Sequence, residues 1–242
     1  IYELSIRRHL IQTAESLEHS SYALSEDREV SEIIEDTEIQ LYEIDQKGQS
    51  GKSFYNFEDS IAESINAAAN AYASDDGLAG LATGFSDLDK ALGGLQKSDL
   101  IILAGRPAMG KTSLASNIAF NIAKKFSDEI NNNEITAVKE NSDENKFGAV
   151  AFFSLEMSAE QLSTRIISDQ AGVSSSDVRQ GKIDEREISN YMKVAEDLKN
   201  VPLYIDQTGA IPIGVLSSRA RRLSRTLKQK KQELSLIVVD YL

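Results

Sequence analysis

The sequence predicts an α/β domain, a parallel sheet with helices on both faces, and three observations predict it. From about Leu81 onward, short apolar runs alternate with stretches of helical period. The runs are nearly continuous in apolar residues, as strands covered on both faces must be. One run, from Asp99 to Ala104, leads into a glycine-rich turn that opens directly onto a helical pattern.

The elements follow in order. Residues 1–46 read as a helical hairpin: Leu4, Leu10, Ile11, Leu17 and Leu24 recur near helical spacing, then Val30, Ile33, Ile34, Leu41 and Ile44 do so against an acidic face. The connection near Ser25, Glu26 and Asp27 is short and carries an N-cap residue. So small a hairpin has one apolar stripe per helix and needs a partner, or the remainder of its own domain, to cover it. Residues 47–80 read as a linker holding one alanine-rich helix, 57–74, whose Ile61, Ile65 and Tyr72 share a side with nothing local to bury them. The α/β domain occupies 81–242. Its expected strands are 99–104, 147–154, 203–206 and 236–240, and its expected helices 111–126, 158–171, 184–199 and 213–231. Residues 127–145, polar and rich in asparagine, read as a surface insertion.

Hydrophobic residues make up 41% of the 242, enough for a buried core, and there is no cysteine. That excludes disulfides, thiolate metal sites and cysteine nucleophiles, and fits a reducing cytoplasm. No apolar run approaches membrane-spanning length, so no membrane role is expected. The net charge of −12 is uneven: residues 1–76 carry 17 acidic and 5 basic side chains, whereas 77–242 carry 21 of each. The α/β part is therefore neutral, and its charge excludes no class of partner.

Gly105, Arg106, Pro107, Ala108, Met109, Gly110, Lys111 and Thr112 match the phosphate-binding pattern G-x-x-x-x-G-K-[ST]. Chance supplies such a match in roughly 1% of chains this long, and the strand before it and helix after it make chance a poor explanation. Glycines let successive N–H groups converge on phosphate oxygens, and the helix N-terminus, from Lys111 through Ser113, adds partial positive charge. Lys111 is expected at the β- and γ-phosphates and the Thr112 hydroxyl on Mg²⁺. A second GKS, at Gly51, Lys52 and Ser53, follows Gly48 too closely and has no strand before it; it reads as linker.

Asp240 ends the apolar run Leu236 to Val239, where phosphates and metal meet in an open parallel sheet. Glu156, just past the 147–154 strand, stands where a carboxylate could orient water in line with a γ-phosphate, or simply favour the N-terminus of the next helix. Arg219, Arg222 and Arg225 share one face of the 213–231 helix. That face suits nucleic-acid phosphates, an acidic surface such as the N-terminal third, or plain solvent. His9 and His19 lack metal-ligand spacing.

Four segments together resemble the DnaB-type replicative DNA helicases: TGFSDLDKALGGL at 83–95, LAGRPAMGKTSLASNIA at 103–119, FFSLEMSAEQLSTRI at 152–166, and SRARRLSR followed by LIVVDYL at 236–242. They cover most of 81–242, and the combination of GRPxMGKT, SLEM and VVDYL is highly specific. The resemblance implies a RecA-like motor that forms a homo-hexameric ring, hydrolyses ATP or another NTP with Mg²⁺ between subunits, and moves on single-stranded DNA. It assigns Walker-A roles to Lys111 and Thr112, the Walker-B role to Asp240 and the catalytic glutamate to Glu156. It also implies that the hairpin receives primase, that the 57–74 helix docks on a neighbouring subunit, and that a helicase loader acts on the ring.

Relative to that family, the chain begins within the N-terminal domain and ends two residues past Asp240. A fragment is expected, with the arginine finger and DNA-contacting loops beyond Leu242. Two other readings compete: a RecA-like recombinase or regulatory P-loop ATPase, against which the hairpin and linker helix speak, and an assembly or primase-docking piece with no activity of its own.

Overall fold

The computed structural model describes residues 2–22, 30–49, 56–73, 78, 80–131 and 147–240. The Ser25–Asp27 connection, the second GKS and most of the 127–145 insertion lie outside them. The chain divides into two compact units, Ile1–Asn66 with Ile211–Arg222, and Ala67–Ala210 with Leu223–Leu242.

In the first unit, α1 (Tyr2–Tyr22) and α2 (Val30–Gln49) pack on each other. Their stripes remain largely open: Leu4, Leu10, Ile11, Leu17, Ile34 and Leu41 are exposed, and Ile44 is buried. The first half of α9 (Ile213–Gln229) belongs to the same unit. There Arg219 donates from Nε and Nη2 to Oε1 of Glu35 at 3.1 and 3.0 Å, and the Ser218 hydroxyl donates to Glu38 at 2.6 Å. Of the three partners the sequence left open for the basic face, an acidic surface of the N-terminal third is the one Arg219 meets. Arg222 and Arg225 stand exposed. The helix α3 (Phe57–Ala73) forms as expected, and its Phe57, Ile61, Ile65 and Tyr72 are exposed.

In the second unit, β1 (Phe147–Ser154), β2 (Leu203–Asp206) and β3 (Gln232–Asp240) form a parallel sheet of order β2-β1-β3. Val150 and Phe152 face α5 (Lys111–Asn131), whose Ala119, Phe120, Ile122 and Ala123 are buried against them together with Leu162 and Ile166 of α6 (Ala159–Ala171). Leu236 and Val238 of β3 pack on the same cluster. Burying a large aliphatic or aromatic side chain contributes roughly 1.5–3 kcal/mol, so this layer is the stabilising centre of the unit. Gly148 sits under the Phe126 ring, in space that any Cβ would fill. The α5 helix runs to Asn131, five residues past the expected end, taking the start of the insertion with it.

The register places the site. Ala149 pairs with Leu234 but Val150 with Leu236, so Ser235 is an extra, unopposed residue of β3. Beyond this bulge, Leu236, Val238 and Asp240 lie opposite Val150, Phe152 and Ser154. In-register neighbours share a face. Asp240 therefore ends the strand on the α5 side of the sheet.

The expected buried strand at 99–104 does not form. Its backbone joins no ladder, and Leu100, Ile101, Ile102 and Leu103 are exposed, Leu100 to 86%. A strand exists only where a neighbour takes its N–H and C=O groups, and among the described residues no strand pairs with this segment. Apolar composition shows a preference for burial, not the presence of a partner.

Short elements also appear that periodicity does not signal. The helix α4 (Ser86–Leu92) lies within a clip in which the buried Asp89 carboxylate accepts from the Thr83 N–H and hydroxyl, both at 2.7 Å. Asn121 of α5 donates to the Thr83 carbonyl at 3.2 Å, and Leu81 bridges Leu95. Gly94, at φ +81°, comes so close to the Gly80 backbone that a Cβ would collide. The helix α7 (Ser175–Gln180) is capped by Ser174, and α8 (Glu185–Asp197), the helix expected at 184–199, is capped by Asp184.

Candidate nucleotide-binding site

A parallel sheet puts the carboxyl ends of all its strands at one edge, and Asp240 stands there with Thr112 bonded to it. The loop from Gly105 to Gly110 is exposed and turns twice through left-handed backbone, at Ala108 (φ 62°) and Gly110 (φ 85°). Left-handed backbone costs an L-residue roughly 1–2 kcal/mol, and Gly110 adopts it without that cost. The loop closes through Met109 N–H to the Arg106 carbonyl at 3.3 Å. The α5 helix then starts at Lys111, so its first unbonded N–H groups open into the loop.

Lys111 reaches back across the loop, its Nζ donating to the Gly105 carbonyl at 3.0 Å. Thr112, one residue on, donates from its hydroxyl to Oδ1 of Asp240 at 3.2 Å. Ser113 is exposed, and its carbonyl accepts from Ser116. Pro107 and Met109 present exposed side chains and contribute backbone to the turn.

Asp240 is 5% exposed. Its Oδ2 and the Ser154 hydroxyl are buried with no hydrogen-bond partner among the described residues. Leu155 N–H donates to the Asp240 carbonyl at 2.7 Å, prolonging the ladder to the residue before Glu156. Glu156 follows in a bend, exposed, at the same sheet edge. The next helix, α6, starts with a capping box formed by Ser158 and Gln161, carries Glu160 in its first turn, and has its Ala159 N–H donating to Gln207 at 2.8 Å.

Among the described residues no group of three or more His, Cys, Asp or Glu could enclose a metal ion. Mg²⁺ does not need one: it retains several waters and typically takes one or two protein oxygens plus phosphates. The Thr112 hydroxyl beside a buried carboxylate with one unpaired oxygen fits that pattern. In the sequence Ser154 shows only as one hydroxyl ending an otherwise apolar run, and Gln207 carries no signal at all.

The model of the DnaB-like helicase C-terminal domain family matches residues 80–242. The chain is 40% identical over all of its 242 residues to a replicative DNA helicase DnaB of Rickettsia bellii, covering 46% of that protein. It is 32% identical over the same span to the replicative DNA helicase DnaB of Geobacillus stearothermophilus, covering 47%. It thus spans just under half the length of these relatives. Among solved structures it resembles a DnaB-like replicative helicase described with its interactions with primase, with a TM-score of 0.61 and 16% identity over 98% of this chain and 57% of that one. A solved ATPase domain matches it equally well, with a TM-score of 0.61 and 17% identity over 78% of this chain and 58% of that one.

Proposed function

We propose the function of this chain from one premise: it belongs to the DnaB-like helicase C-terminal domain family. On that premise the chain is part of a replicative DNA helicase, in which ATP or another NTP is hydrolysed to drive movement on single-stranded DNA and duplex separation. The observation that carries this reading is the hydrogen bond from Thr112 to Asp240, which joins the glycine-rich loop to the end of β3. It is supported by relatives that bear the name replicative DNA helicase along the whole of this chain.

In this reading the N–H groups from Gly105 through Ser113 cradle the phosphates, and Lys111 exchanges the Gly105 carbonyl for β- and γ-phosphate oxygens. Thr112 and Asp240 hold Mg²⁺, which when bound neutralises charge on the phosphates. Glu156 orients the attacking water and accepts its proton in a hydrogen bond. Residues 1–46 form the end of an N-terminal domain that receives primase, 47–80 a linker whose helix α3 docks on a neighbouring subunit, and 81–242 the RecA-like motor. The assembled partners are a homo-hexamer, single-stranded DNA and a helicase loader. The open apolar faces of α1 to α3 favour such partners, and one structural neighbour is described with primase.

The test is Lys111→Ala in the intact protein. DNA-stimulated NTP hydrolysis and strand separation should fall to background with assembly retained. An unwinding rate equal to that of the unaltered protein overturns the reading.

A further inference from the structure

Two buried polar atoms at the end of the sheet lack hydrogen-bond partners among the described residues: the Ser154 hydroxyl, 1% exposed, and Oδ2 of Asp240, 5% exposed. Their residues are register neighbours on adjacent strands, brought opposite each other by the bulge at Ser235. Both side chains face α5, because Val150 and Phe152 before Ser154, and Leu236 and Val238 before Asp240, pack into the cluster around that helix. The other carboxylate oxygen is held by Thr112. A buried unpaired hydroxyl costs about 1–3 kcal/mol, so a serine at the end of an apolar run calls for a purpose. Strands lie about 4.8 Å apart, which lets two such side chains share one water. A buried water is stable where it has two to four polar partners.

We propose that Ser154 is a positioning residue of the nucleotide site: its hydroxyl and Oδ2 of Asp240 hold one water between them. That shared water fixes the carboxylate rotamer in which Thr112 and Asp240 together face Mg²⁺. This rests on the reading of Asp240 as the metal-side carboxylate. Thr112 alone leaves the carboxylate free to pivot about its Oδ1 contact; a second anchor on Oδ2 removes that freedom. The hydroxyl thus acts through Asp240.

The test measures binding of a fluorescent ATP analogue to the intact protein as Mg²⁺ is titrated, and again in EDTA, for wild type, Ser154→Ala, Ser154→Thr and Asp240→Asn. Ser154→Ala should raise the Mg²⁺ concentration for half-maximal tightening roughly three- to tenfold, the equivalent of one hydrogen bond. Its affinity in EDTA and its thermal midpoint should stay those of wild type, and Ser154→Thr, which keeps the hydroxyl, should restore the Mg²⁺ midpoint. Asp240→Asn should flatten the Mg²⁺ response. If Asp240→Asn flattens it while Ser154→Ala keeps the wild-type midpoint, or weakens binding equally in EDTA, the role of Ser154 is overturned and the nucleotide site stands. If Asp240→Asn keeps the wild-type response, the nucleotide-site reading falls, and the role of Ser154 with it.

Discussion

The Thr112 hydroxyl donates to Oδ1 of Asp240 at 3.2 Å, joining positions 128 residues apart. Neither residue is placed by its own neighbourhood alone. Thr112 is fixed by the first turn of α5, and Asp240 by the register of β3 on β1, which the Ser235 bulge sets. Shifting that register by one residue would turn Asp240 to the opposite face of the sheet.

Thr112→Val keeps the shape of the side chain and removes its donor. Nucleotide affinity in Mg²⁺ should weaken roughly tenfold, the scale of one hydrogen bond to a charged group, while affinity in EDTA changes little. Titration calorimetry with and without the metal separates the two effects.

Asp89→Ala removes a buried carboxylate and leaves the Thr83 N–H and hydroxyl without their acceptor. Stability should fall by about 2–4 kcal/mol, read as a lower urea midpoint at unchanged slope. A loss below about 0.5 kcal/mol, the ordinary size for a surface change, would mean the clip around α4 does not hold.

The glycine-rich loop, the three strands of the sheet and Asp240 were all legible because each signal is local: a fixed spacing, an apolar run, a strand-ending acid. What escaped depended on pairing or on capping. The segment 99–104 has a strand's composition, yet among the described residues no ladder forms on it. Gln232 and Glu233 begin β3 despite being polar, because Phe147 and Gly148 offer them partners. The helices α4 and α7, of 7 and 6 residues, are too short to show a period and are set by turns and caps. Ser154 matters through its register with Asp240, which no local pattern encodes.

Gly148→Ala drives a methyl group into the Phe126 ring. It should cost about 1–3 kcal/mol as overpacking, measured by chemical denaturation. Pairing it with Phe126→Leu, which vacates the ring's space, should cost less than the two single changes together. Strict additivity would show that ring and glycine do not meet.

Arg219→Glu sets like charges together at Glu35 and should speed amide exchange in α2, with about 1 kcal/mol lost locally. Adding Glu35→Arg restores opposite charges and should recover part of the protection. Exchange in α2 indifferent to both changes would contradict the contact between Arg219 and Glu35.

In the proposed reading the loop at 105–112 is a triphosphate site with Lys111 at its centre. The most direct measurement is calorimetric titration of the intact protein and of Lys111→Ala with a non-hydrolysable ATP analogue in Mg²⁺. The expected result is saturable, Mg²⁺-dependent binding that Lys111→Ala weakens by about 3 kcal/mol or more, the scale of lost charge-assisted contacts to phosphate. Equal affinity in the two proteins would exclude Lys111 from phosphate binding and the loop from being a triphosphate site.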